Sequence, residues 1–170
     1  HEGVICASAC LGGEIPQLIM AGKMDEAEQS VRWFQSVFGE DYYLEIQRHP
    51  TRAGDPAHDV WERQQEVTPA ILELAKKTGV KVICTNDSHF LDKEHADAHE
   101  RLLCLSTGKV MTDPDRLHYT KQEWLKTPDE MGELFKDLPE TLANTMEVAE
   151  KVEPINLNSD PIMPKFPIPE

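Results

Sequence analysis

The chain has 170 residues, enough for one domain with a core of ordinary size, and its 39% apolar and 28% charged residues are typical of globular proteins. Its 31 acidic residues outnumber 17 Lys and Arg, for a net charge of −14, which argues against a stand-alone clamp on nucleic acid, because phosphates are held through Lys and Arg. No apolar run reaches the ~20 residues of a membrane span, the opening HEGVICASAC does not read as a signal peptide, and four scattered cysteines argue against a disulfide scaffold and lead to the expectation of reducing cytoplasm.

Three short β-branched or aromatic runs predict buried strands: residues 4–8 (VICAS), 42–47 (YYLEIQ) and 80–85 (VKVICT). Between the first two, residues 25–38 place Ala27, Val31, Phe34 and Phe38 on one helical face. Between the last two, residues 58–77 do the same with Val60, Val67, Ile71, Leu74 and Ala75, and Thr78-Gly79 ends that helix. This alternation is an α/β rhythm and implies a parallel sheet or barrel. Beyond Phe90 the chain reads as helical, over residues 93–106, 129–135 (after Thr127-Pro128, a cap followed by a first-turn proline) and 139–152. Five of the twelve prolines fall in residues 154–170, which predicts an extended linker. The expected organisation is an α/β part to about residue 90, a helical part over 91–153 and a linker over 154–170.

Chemistry concentrates at the ends of the strands, where α/β architectures place their sites. After the third strand, Thr85-Asn86-Asp87-Ser88-His89-Phe90 holds Asp87 and His89 two residues apart, so an extended backbone would project both to one side. A carboxylate with an imidazole is a half-site for zinc, manganese or iron. The competing reading is a turn in which Asp87 caps the next helix and His89 is incidental. Cys10, just past the first strand and before Gly12-Gly13, is a potential thiolate ligand, though its type and spacing alone favour a buried structural thiol, as they do for Cys6. Glu45, Arg48 and His49 end the second strand. Glu45 offers a ligand or base, or simply the outward member of an alternating strand, and Arg48 and His49 offer phosphate contacts. His95 and His99 lie four apart on one helical face. Asp92, Glu94 and Glu100 around them suggest a solvated acidic surface, which leaves His95 without a role and His99 open. Walker, nucleophile-elbow and Rossmann patterns are absent from the sequence.

Several segments resemble one family. Ala7-Ser8-Ala9-Cys10-Leu11-Gly12-Gly13-Glu14-Ile15-Pro16, Tyr43-Leu44-Glu45-Ile46-Gln47-Arg48-His49 and the 85–90 run are similar to the PHP (polymerase and histidinol phosphatase) domain of bacterial replicative polymerase III alpha subunits. So are residues 102–109 and 137–145, and Pro164-Lys165-Phe166-Pro167-Ile168-Pro169 resembles that domain's junction with the polymerase core.

The resemblance implies part of a (β/α)7-type barrel with metals at the C-terminal ends of its strands. It implies zinc or manganese held by Cys10, Asp87 and His89, with Glu45, Arg48, His49 and His99 as accessory residues. The implied activity is a metal-dependent phosphoesterase of the 3′–5′ exonuclease type in a DNA-directed DNA polymerase. The alternatives are a non-catalytic platform for a separate proofreading exonuclease and, more weakly, an independent phosphatase. Implied partners are DNA, the exonuclease and the sliding clamp, all through the larger protein. The family's H-x-H and Asp-His motifs precede this stretch, so the chain alone is expected to form only part of the cluster and to be inactive. An incomplete barrel is also expected to leave a sheet edge open to self-association.

Overall fold

The structure, a computed structural model, describes residues 3–154, 156, 158 and 160–163. Its centre is a parallel three-stranded sheet in the order β1 (Cys6–Ala7), β2 (Tyr42–Gln47), β3 (Val82–Thr85). Cys6 pairs with Tyr42, and Leu44 to Gln47 pair with Val82 to Thr85. Because the strands are parallel, the stretches that follow Ala7, Gln47 and Thr85 all emerge at one end of the sheet.

The crossovers are helical. β1 leads through α1 (Glu14–Met20) and α2 (Met24–Phe38) to β2, and β2 leads through α3 (His58–Thr78) to β3. The expected face of α2 buries Ala27 and Val31, and that of α3 buries Val67, Ile71 and Leu74, against Tyr42, Leu44 and Ile46. Gly79, at φ +76, adopts the left-handed cap that stops α3. Helix α1 was not among the expected elements. Pro16 sits in the first turn, where its missing N–H costs nothing, and Ile15 and Ile19 reach the core. Gly13 is required by contact: a Cβ there would stand 2.2 Å from the Ser8 carbonyl oxygen. Gly13 thus serves close packing of the β1–α1 corner, while a Cβ at Gly12 would meet open space.

Two strand boundaries are shorter than expected. Residues 4–8 yield only Cys6–Ala7, an edge strand, and residues 80–81 precede β3. The second strand lies between two neighbours and is buried except at the half-buried Glu45, so alternation between solvent and core does not apply to it. Lys93–His95 forms a 3-10 turn ahead of α4 (Ala96–Thr107), and α5 (Pro128–Leu134) and α6 (Pro139–Lys151) follow. Glu100 is buried against Arg116, correcting its expected place on a solvated face.

Helix α6 runs along the free side of β3. Asn144 Nδ2 donates to the Val82 carbonyl at 2.8 Å, and Thr145 Oγ1 donates to the Cys84 carbonyl at 3.0 Å and accepts from the Cys84 N–H at 3.2 Å. Side chains thereby occupy the backbone groups that another strand would claim, so the edge expected to be open is closed on this side. The sheet with its helices is compatible with part of the expected barrel. Residues 164–169, which carry the junction-like motif, lie outside the described residues, as does much of the expected linker.

Candidate metal centre and its cleft

Asp87 and His89 leave the end of β3 on a turn in which Asp87 takes a left-handed conformation, φ +48. Such backbone is tolerated by Asp where the surroundings hold it. Here the holder is Asn86, buried and fully engaged. Its Nδ2 donates to the carbonyls of Gln122 and Trp124 at 3.1 and 2.7 Å, and its Oδ1 accepts from Lys126 Nζ at 3.0 Å. Burial of Lys126 over the Trp124 ring pulls its ammonium down to about 8. The N–H of His89 donates to the Glu123 carbonyl at 2.8 Å, tying the turn to the returning chain. The result is Asp87 Oδ1 3.4 Å from His89 Nε2, both partly exposed.

Cys10 stands at the neighbouring end of β1. It is exposed, which corrects the expectation of a buried thiol. Cys6, within β1, is packed against the core, and burial raises its thiol. Cys10 and Asp87 line one cleft of about 350 Å³ together with His49, His118, Tyr119 and Glu123. His89 lies behind Tyr119, their ring centroids 4.7 Å apart, and His99 completes the group at 5.5 Å from His89 and 5.1 Å from Tyr119. His95 is apart from this group, on the 3-10 turn, where its Nδ1 accepts from the Asp92 N–H.

The remaining expected residues are committed to the fold. His49 is buried, and its Nε2–H donates to the Asn86 carbonyl at 3.0 Å while its Nδ1 accepts from Gln64 at 3.2 Å. Both nitrogens are spoken for, so His49 ties β2, α3 and β3 together and has none left for a phosphate. Burial holds its pKa below the usual value, partly opposed by the charge of Glu123. Arg48 turns away from the cleft. It makes a two-pronged contact with Asp137 at 2.5 and 2.8 Å, donates to the Leu134 carbonyl at 2.8 Å and covers the Phe135 ring. Glu45 Oε1 accepts from Gln47 and from the Thr85 hydroxyl at 3.0 and 2.5 Å, half-buried beneath the strand ends.

Sequence reasoning passed over Tyr119 and Glu123, which lie in an aperiodic stretch. Glu123 is buried, with Oε1 accepting from the Thr120 N–H and hydroxyl at 3.1 and 2.5 Å and Oε2 without a donor among the described residues. Burial, then the charges of Asp87, Glu123 and Cys10, raise the Tyr119 phenol and keep it protonated.

Thiolate, carboxylate and imidazole suit a divalent metal such as zinc in kind. In number they fall short: among the described residues no three His, Cys, Asp or Glu side chains are grouped to hold an ion. The chain presents a two-ligand pair with a thiol nearby, and further ligands would have to join it.

Residues 1–49 match the family model of the PHP domain. The chain is similar to the DNA polymerase III subunit alpha of Borreliella burgdorferi (39% identity over 99% of the chain), of Campylobacter jejuni (37% over 97%) and of Treponema pallidum (34% over 99%). It spans 14% of the length of each of these relatives. The chain thus matches the PHP model over residues 1–49 and is similar along nearly all its own length to DNA polymerase III alpha subunits.

Proposed function

We propose that this chain supplies Cys10, Asp87 and His89 to a metal-dependent phosphoesterase site of the 3′–5′ exonuclease type, within the PHP barrel of a replicative DNA polymerase. The observation that carries this reading is the Asp87–His89 pair, 3.4 Å apart at the C-terminal end of a parallel strand, in a turn over-determined by Asn86. A divalent metal, zinc or manganese, would polarise a scissile phosphate and lower the pKa of a bound water. The chain's own contribution is to hold two ligands in place: Asn86 and Lys126 set the turn, and Tyr119 and His99 pack against the His89 ring. Residues 1–153 would then be part of the PHP domain and 154–170 the lead toward the polymerase core. DNA, a proofreading exonuclease and the sliding clamp would be met through the larger subunit.

The test is metal-dependent nucleotide release from a mispaired DNA 3′ end by the full subunit carrying this stretch, with an Asp87→Asn variant alongside. Release with manganese or zinc that falls at least ~100-fold in the variant supports the nuclease reading. Equal behaviour of the two proteins, both folded, refutes it and leaves the non-catalytic platform for a separate exonuclease.

A further inference from the structure

One wall of the cleft is built by residues 117–123, and three of its polar groups have no protein hydrogen-bond partner among the described residues. They are Glu123 Oε2 and His118 Nδ1, both buried, and the Tyr119 hydroxyl. The Glu123 side chain is only 3% exposed. A carboxylate oxygen buried without a donor is strongly unfavourable, so a donor is expected from outside the described residues.

The chemistry of the wall restricts what that donor belongs to. Glu123 accepts only, the Tyr119 phenol can donate, and two carboxylates, Asp87 and Glu123, repel an anion at this end of the cleft. A neutral group bearing several oxygens, some giving and some accepting protons, is complementary, and a sugar is such a group. The same cleft is lined by Leu11, Met20, Val60 and Leu117, an apolar surface that a bare sugar would leave unused and a base would cover. Its volume of about 350 Å³ falls within the ~300–1,000 Å³ range of small-ligand sites.

We propose that this wall is a nucleoside subsite, in which a sugar hydroxyl donates to Glu123 Oε2 and a sugar oxygen accepts from the Tyr119 hydroxyl while the base lies on the apolar lining. The assignment rests on the nucleic-acid reading above and adds to it the group that is recognised. Glu123 and Tyr119 are binding residues here and need no metal to act.

The experiment is a titration of the 170-residue chain, followed by NMR, with thymidine, 3′-deoxythymidine and methyl 2-deoxyribofuranoside. Thymidine is expected to bind about tenfold more tightly than 3′-deoxythymidine, the size of one lost hydrogen bond to a charged group, and the sugar alone more weakly than either. Glu123→Gln and Tyr119→Phe, each checked for a native spectrum, are expected to bind thymidine no better than the wild-type chain binds the deoxy analogue. Equal affinity for the two nucleosides overturns the proposal, and so does undiminished binding by both variants. No binding of any probe overturns it too, leaving water as the donor to Glu123. A sugar that binds as well as thymidine overturns the nucleoside assignment in favour of a sugar ester. Failure of the nuclease assay with Asp87→Asn would leave this titration unchanged, so the two readings fail separately.

Discussion

Replacing Arg48 by Met distinguishes a residue that meets phosphate from one that holds helices. The Arg48 side chain is 17% exposed, and all its polar contacts are to the α5–α6 corner. Methionine keeps the apolar stem and removes the head. The Leu134 carbonyl loses a donor, worth about 1 kcal/mol. The Asp137 pair contributes at most about 1 kcal/mol, since Asp137 is 59% exposed and screened by solvent. The cation over Phe135 adds roughly 0.5–1 kcal/mol. Together these predict a loss of about 1.5–3 kcal/mol, read as a lower urea midpoint at unchanged slope. The charge component carries a pH signature. Arg48 holds the Asp137 carboxyl down to about 2, so the pair's contribution is whole above the ordinary value of 3.8 and is lost as the pH falls toward about 2. A variant with wild-type stability at pH 7, and altered behaviour only toward phosphate ligands, would refute the assignment of Arg48 to the fold.

Two further outcomes follow from the same geometry. His49 is kept neutral by burial, so its folded pKa lies below the 6.5 of the unfolded chain; stability is full above that value and falls as the pH drops below it, and a urea series from pH 7.5 to 5.5 should show a slope that His49→Gln reduces. Thr145→Val strands the Cys84 N–H and carbonyl and should cost about 1–3 kcal/mol; combined with Asn144→Leu it should also produce concentration-dependent association in sedimentation, whereas a double variant that stays monomeric would show that the β3 edge needs no guard.

The readable parts of the sequence were those in which one short-range signal decides the outcome. β2 is a compact run rich in aromatic and aliphatic residues (YYLEIQ), and α2 and α3 carry an uninterrupted helical period, so all three appear within a residue of their expected limits. β1 came out shorter because an edge strand is delimited by where its one neighbour begins to pair. Of the candidate site, the pairing of Asp87 with His89 after β3 and the strand-end position of Cys10 were legible. What could not be read were dependencies between distant residues. Arg48 is determined by Asp137, 89 positions away, and His49 by Gln64 and Asn86. Glu123 and Tyr119 lie in a stretch without period, held to the site by backbone bonds to His89 and Phe90 that no composition rule anticipates.

The helix that guards β3 also sets an order on biosynthesis. Asn144 is 62 residues beyond the carbonyl it satisfies. At about 5–20 residues per second, the ribosome leaves the third strand without that cover for roughly 3–12 s after it has been made. During that interval Cys84 and its neighbours are available to any other extended segment, including the same stretch of a chain emerging from an adjacent ribosome. The nascent protein is therefore most exposed to mispairing between completion of β3 and emergence of α6, and a trigger-type chaperone would act with greatest effect in that window.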